Sequence, residues 1–258
     1  MIRIIVTGSN GQLGQTLQEL APAYDNLFFH FRTSVELDIT EPVKVLDCLK
    51  QGNYDYCINL AAFTNVEQAE KYPEKAFKVN AKGTKNLATA CKKHQIKLIH
   101  ISTDYVFDGK KEGPYTIADT PNPINEYGKS KLKGEQCIRD ILNDHYIVRT
   151  SWLYSKKYGH NFYRSILKQA LEGKELRVTD DQKGCPTNTE ALSKFLLEEI
   201  LIEQIPFGTY HFTGGRPTTW FGFAQCILEE NGLTDKVDLV LDRNYRTFAK
   251  RPKNSVLL

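Results

Sequence analysis

The chain has 258 residues, 41% apolar and 25% charged, with 34 basic and 31 acidic side chains for a net charge of +3. That mix belongs to a folded globular protein, and its charge balance gives no reason to expect a nucleic acid or an anionic membrane surface as partner. Apolar runs such as FLLEEILI (195–202) are too short to cross a bilayer, and MIRIIVTG reaches a glycine before a signal-peptide core can form, so a cytoplasmic protein is expected.

IRIIVTG opens the chain as an apolar run of strand length, followed by Ser9-Asn10-Gly11 and a helical pattern with Leu13, Leu17 and Leu20 on one face. LFFHF (27–31) is the second strand, and a helix starting at Pro42 runs to about Lys50. YCINLAA (56–62) is the third strand. Two helices are expected at 66–77 and 80–94, then a fourth strand, IKLIHIS (96–102). A long loop (104–125) with three prolines precedes a helix at 126–142. DHYIVRTSW (144–152) supplies the fifth strand and its exit. Beyond it the pattern predicts helices at 162–172, 189–203 and 219–231, and short strands at 208–214 and 237–241. Strands that are apolar throughout, alternating with helices, argue for an α/β fold in which a doubly wound parallel sheet has helices on both faces. The organisation expected is a dinucleotide-binding core over 1–150 and a smaller C-terminal, substrate-binding lobe over 151–258, with 189–213 returning to the core.

The six cysteines are scattered without a CxxC pair, and the histidines lack metal-ligand spacing. Reduced thiols and no metal site are therefore expected.

Three groups of residues carry chemistry. TGSNGQLG (7–14) places Gly8, Gly11 and Gly14 between a strand and a helix, where glycines permit a tight turn, close approach to a pyrophosphate and close helix packing. Asn10 lies within this expected Rossmann-like cradle. After the second strand, Arg32 suits the extra 2′-phosphate of NADPH and Asp38 the ribose hydroxyls of NADH. The third group lies at later strand ends: Ala61, Ala62 and Thr64, then Thr103 and Asp104, then Tyr127 and Lys131 in YGKSK. Four helical residues rise only ~6 Å and return to the same face, so the Tyr and Lys share one side of their helix.

A ketone receiving hydride needs a proton for its developing alkoxide. A tyrosine beside a cation is a suitable donor because the cation favours phenolate, and Thr103 can add a second hydrogen bond. Gly128 is expected to leave room beside the cofactor and Lys129 to face solvent. Trp152 suits either stacking on a sugar or base, or core packing. Asn188 suits a helix cap, His211 a structural role, and DDQKG (180–184) either a loop over the substrate or a turn.

Together TGSNGQLG, LDIT, NLAAFTNVEQAE, NAKGTKNLA, STDYVFDG, YGKSKLKGE, RTSWLY, VTDDQKGCPT, GTYHFTGG and RPKNS resemble the dTDP-4-dehydrorhamnose reductase family of extended short-chain dehydrogenase/reductases. The resemblance implies reduction of the C4 ketone of dTDP-4-dehydro-L-rhamnose by NADPH or NADH, giving dTDP-L-rhamnose for cell-surface polysaccharide. It implies Tyr127 as proton donor, Lys131 as its tuner and ribose ligand, and Thr103 as third catalytic hydroxyl. Gly8, Gly11, Gln12, Leu13, Asp38, Ile39, Ala61, Ala62 and Thr64 fall at cofactor-lining positions. Asp104 and Trp152 fall at sugar-contacting ones, with Thr64 also near substrate. Some relatives form a magnesium-bridged dimer through glutamates of the first helix and the tail. Here Gln15 stands at the early position and the chain stops at Leu258, so a monomer or weak homodimer is expected. Other roles known for such folds are a non-catalytic regulatory subunit like that of methionine adenosyltransferase, and other nucleotide-sugar reductases, dehydratases or epimerases.

Overall fold

The first strand is apolar without alternation because both of its faces are covered. In β1 (Ile2–Thr7), Ile4 and Val6 point into one apolar cluster and Ile5 into another, and all three are fully buried. The computed structural model describes residues 1–258 and repeats this division in β3 (Tyr56–Asn59), β4 (Lys97–Thr103) and β5 (His145–Thr150), with β2 (Leu27–Arg32) at the edge. Tyr56, Ile58, Ile99, Tyr146 and Val148 join one cluster, and Cys57, Leu98 and Ile147 the other. A period of two in side-chain direction thus sorts an unbroken hydrophobic run into two cores.

Between the strands lie α1 (Gln12–Leu20), α2 (Pro42–Gly52), α3 (Val66–Lys71), α4 (Pro73–Phe77), α5 (Thr84–His94) and α6 (Glu126–Ile141). Where two helices separated near residue 79 are expected, the chain breaks instead at Tyr72, whose backbone (φ −133°, ψ 66°) lies outside the helical region that a following proline disfavours. From Pro73 to His94 the helix is continuous, widening to a π turn over Lys78–Gly83. β3 also ends sooner than the apolar run YCINLAA, and residues 60–62 leave the sheet as loop.

The later elements are β6 (Leu153–Tyr154), α7 (Phe162–Leu171), β7 (Leu176–Val178), β8 (Lys183–Gly184), β9 (Thr187–Asn188), α8 (Thr189–Phe195), β10 (Gly208–His211), β11 (Thr218–Thr219), α9 (Trp220–Glu230) and β12 (Leu239–Leu241). α7, α9, β7 and β12 enclose a third apolar cluster that includes Tyr163, Ile166, Val178, Phe223 and Ile227. α8 continues as a π turn (Leu196–Ile202), and its Leu192, Phe195 and Leu196 pack into the same cluster as Leu13 and Leu17 of α1. β10 pairs in parallel with β5, giving a six-stranded sheet in the order β10-β5-β4-β3-β1-β2.

In that order β1 has β2 on one side and β3 on the other, so successive connections depart in opposite directions. Such a switch point leaves a crevice outside the carboxyl ends of β1 and β3.

Candidate active site

The glycine loop lies at this crevice. Gly8 follows β1 with φ +68°, and a Cβ on it would stand 2.5 Å from the Ala61 backbone nitrogen at the end of β3. A Cβ on Gly14 would stand 2.5 Å from the Ser9 carbonyl oxygen. Only glycine fits either place: at Gly8 the chain turns left-handed beneath the neighbouring strand end, and at Gly14 the helix lies directly on the loop. α1 starts at Gln12 with no side-chain cap and no acidic residue in its first turn. Its leading N–H groups and positive dipole end therefore face the cleft, the arrangement that suits a pyrophosphate. These residues fit a dinucleotide.

This loop lines one continuous cleft of about 990 Å³. All the site residues expected from sequence line it except Arg32. Asp38, which lines this cleft, accepts the Thr40 N–H at 2.9 Å, and that bond holds its carboxyl below the usual carboxylate range. Ile39 lies against Gly83, and the Asn80 amide clamps the backbone of Phe63 by accepting its N–H (2.8 Å) and donating to its carbonyl (3.0 Å). The Ala61–Thr64 wall is held in this way. Arg32 lines an adjoining recess with Arg3, His30 and Lys44, its guanidinium 3.8 Å from Glu36. Lys78 lies on the main cleft near Asp38 and was not singled out from sequence.

α6 brings the catalytic candidates to the cleft floor. Asn125 caps it by accepting the Gly128 N–H at 2.8 Å, which sets the first turn that carries Tyr127. Gly128 does not make room beside the cofactor as expected. A Cβ there would stand 2.1 Å from the Tyr105 carbonyl oxygen, so its absence lets the Asp104–Val106 turn lie on the helix. Lys129 is half-exposed and pairs with Glu126. Ser130 is buried, donating to the Tyr127 carbonyl and accepting from Asn80.

The Tyr127 ring meets Tyr105 edge to face at 5.9 Å, and its phenol is pushed well above the ordinary tyrosine value. Burial is the main cause, and the nearby Asp104 adds to it, while the Thr103 hydroxyl acts the other way. Lys131 is 2% exposed, with Nζ 2.6 Å from the Ile101 carbonyl oxygen, and burial lowers it to about 8. In this arrangement the amine is turned to the strand, and burial rather than a neighbouring cation governs the phenol. One turn on, fully buried Glu135 accepts from Ser102 (2.5 Å), from Arg149 through two nitrogens (3.0 and 2.7 Å) and from Arg139 (3.0 Å). This ion cluster fastens α6 to β4 and β5 beneath the site.

Asp104 is almost completely buried, takes the Thr103 hydroxyl at 2.9 Å and leaves its second carboxyl oxygen without a partner. Burial raises it to about 7. Trp152 is left-handed (φ +48°) and stacks on Trp220, centroids 3.6 Å apart, so one indole face is covered while the residue still lines the cleft. Gln12 donates to the Leu153 carbonyl and accepts from Asn161, which brings the Gly159–His160 turn over the start of α1. Arg251, inside the quoted RPKNS motif but given no role from sequence, also lines the cleft and pairs with Glu67 at 2.7 Å. Asn188 caps α8 through the Glu190 N–H, and His211 lies between Arg149 and the Leu258 carbonyl. Lys183 in the 180–184 turn pairs with Thr219 of β11.

A doubly wound sheet, a glycine-lined switch point and a Tyr/Lys/Thr floor define a nucleotide-cofactor reductase of the short-chain class. The profile of the RmlD substrate binding domain family matches residues 2–258, and the chain belongs to this family of dTDP-4-dehydrorhamnose reductases. It is 38% identical to the dTDP-4-dehydrorhamnose reductase of Aggregatibacter actinomycetemcomitans, over 100% of this chain and 90% of that one. The crystal structure of a dTDP-4-dehydrorhamnose reductase from Clostridium acetobutylicum is similar with a TM-score of 0.93 at 37% identity, covering 100% of this chain and 90% of the other. That of Bacillus anthracis, in complex with NADP, gives 0.93 at 37%, covering 100% and 91%.

Proposed function

We propose that this protein reduces the C4 ketone of dTDP-4-dehydro-L-rhamnose to dTDP-L-rhamnose, using NADPH or NADH. The observation that carries the reading is the meeting of Thr103, Tyr127 and Lys131 on the floor of the cleft whose other wall is the Gly8–Gly14 loop. The dinucleotide, when bound, supplies the hydride.

The chain's own residues do the rest. The α1 N-terminus and the loop glycines hold the pyrophosphate. Asp38, Ile39, Ala61, Ala62 and Thr64 line the path to the nicotinamide. Tyr127 gives its phenolic proton to the oxygen that gains charge, and Thr103, its hydroxyl turned from Asp104 to the substrate, donates a hydrogen bond to the same oxygen. Burial keeps the phenol protonated while making it a weaker acid, and fixed donors need no reorganisation as charge develops. Lys131 holds the nicotinamide ribose and, as a cation, steadies the tyrosinate left behind. Asp104, Trp152 and Thr64 face the sugar. Arg251 provides a cation for the anionic substrate at the other wall. Arg32 and Lys78 favour NADPH by accepting an additional 2′-phosphate. On this reading, residues 1–150 form the cofactor core, and 151–258 mainly close on the substrate with 189–213 rejoining the core. The protein works in the cytoplasm as a monomer or weak homodimer.

The test is loss of absorbance at 340 nm when the purified protein is given NADPH and the 4-keto sugar. Tyr127→Phe should cut the rate by at least about 100-fold, the low end for a general acid, while cofactor binding persists. Wild-type protein that binds both ligands and never oxidises the cofactor would refute the reading. A non-catalytic regulatory role, by contrast, would survive the loss of Tyr127.

A further inference from the structure

Thr7, Asn59 and His100 stand side by side on β1, β3 and β4, since Thr7 pairs with Asn59 and Asn59 with His100 in the strand registers. Two residues earlier on each strand, Ile5, Cys57 and Leu98 belong to one apolar cluster. A polar row therefore ends that face of the sheet. Each of the three is at most 1% exposed, and polar groups so buried are costly unless they are paired.

Their hydrogen bonds run in one direction. The Thr7 hydroxyl donates to Asn59 Oδ1 at 2.8 Å, and the Ala61 backbone N–H donates to the same atom at 3.2 Å. A backbone N–H can only donate, which settles the end of the Asn59 amide that is oxygen. Asn59 Nδ2 then donates to His100 Nδ1 at 3.0 Å. With Nδ1 accepting, the neutral ring carries its proton on Nε2. Nε2 faces Lys131 Nζ at 3.3 Å, and Nζ itself donates to the Ile101 carbonyl at 2.6 Å. An ammonium there sets N–H against N–H, whereas the free amine has a lone pair for the histidine proton.

We propose that His100, locked in its Nε2–H form by Asn59, is a positioning residue that aims the Lys131 amine, favours its unprotonated form and so sets the alkaline limit of reduction, resting on the catalytic roles given above. The other groups facing Lys131 are few. Tyr127 lies one turn before it on α6 and Glu135 one turn after, and Glu135 is already engaged by Arg149 and Arg139. Glu135 favours the ammonium, but burial outweighs it and lowers Lys131 to about 8. Burial, together with the Lys131 charge, holds His100 well below the ordinary histidine value. Asp104 lies farther along, beside Thr103 and Tyr127.

The experiment is the pH dependence of kcat/KM in wild type and His100→Gln. Wild-type activity should fall as pH rises through about 8. Glutamine can turn a carbonyl acceptor toward Nζ, so the alkaline limb should move up by about one pH unit, a tenfold change in proton affinity. A uniformly lower rate with the limb unmoved would overturn the proposal, since lost packing alone has that effect. Should the variant not fold, histidine 15N spectra of the unaltered protein decide. A bare Nδ1 and protonated Nε2 throughout the titration support the proposal, and an Nδ1–H ring or an imidazolium overturns it. Activity surviving in Tyr127→Phe would instead overturn the catalytic reading, and the histidine spectra remain readable in that case.

Discussion

Replacing Lys131 with methionine should abolish reduction and raise stability together. The amine is 2% exposed, and burial lowers it from the ordinary 10.5 to about 8. At ~1.4 kcal/mol per pH unit, holding the charged form in the fold at neutral pH costs about 3 kcal/mol. Methionine removes that cost and fills a similar volume, but it forfeits the hydrogen bond to the Ile101 carbonyl, worth about 1 kcal/mol. The net gain is about 2 kcal/mol, or about 4 °C in Tm for a chain of this size. The gain depends on pH with a definite sign. Between about 8 and the ordinary 10.5 the unfolded chain binds more protons than the folded one, so wild type gains stability as pH rises through that window. The methionine advantage should therefore be full below pH 8 and vanish toward 10.5. Calorimetry of both proteins at neutral and alkaline pH, with the NADPH assay alongside, measures this. A variant that melts lower than wild type at pH 7 would refute the claim that burial of the cation dominates at this position.

Gly8→Ala should weaken NADPH binding at least tenfold by titration calorimetry, because the new methyl meets the Ala61 backbone and the left-handed turn is strained by about 1 kcal/mol or more. Glu135→Leu should lose about 3–5 kcal/mol in urea unfolding, since it leaves the Arg149 charge buried without its partner. Retention of wild-type stability would mean that this ion cluster does not hold α6. Asp104→Asn should be more stable than wild type at pH 8 and show little difference at pH 4. Its folded-state value is raised from 3.8 to about 7, so stability present below the lower value is lost as pH rises through the upper one. Equal denaturant midpoints for the two proteins at pH 8 would contradict the burial of that carboxyl.

Local chemistry by itself determined a good deal of this protein. The apolar runs marked the strands, because a strand covered on both faces needs no polar alternation. Gly8 and Gly14 marked the tight turn between β1 and α1, because backbone that must turn left-handed or approach a neighbour closely excludes a Cβ. The four-residue spacing of Tyr127 and Lys131 placed them on one helical face. The helix break at Tyr72 was also legible from Pro73, although the apolar pattern pointed elsewhere. Only the tertiary structure decided what surrounds each group. Gly128 turned out to accommodate the Tyr105 carbonyl, a contact with a loop more than twenty residues earlier that spacing does not encode. Trp152 acquired Trp220 as its stacking partner, and Arg251 came to the cleft from near the end of the chain. The protonation of Tyr127, Lys131 and Asp104 depends on burial and on which neighbour each polar atom faces. His100 shows this most plainly: in IKLIHIS it reads as one residue of a buried strand, and its link to Lys131 exists only because strand register sets Asn59 beside it and α6 lays the lysine across it.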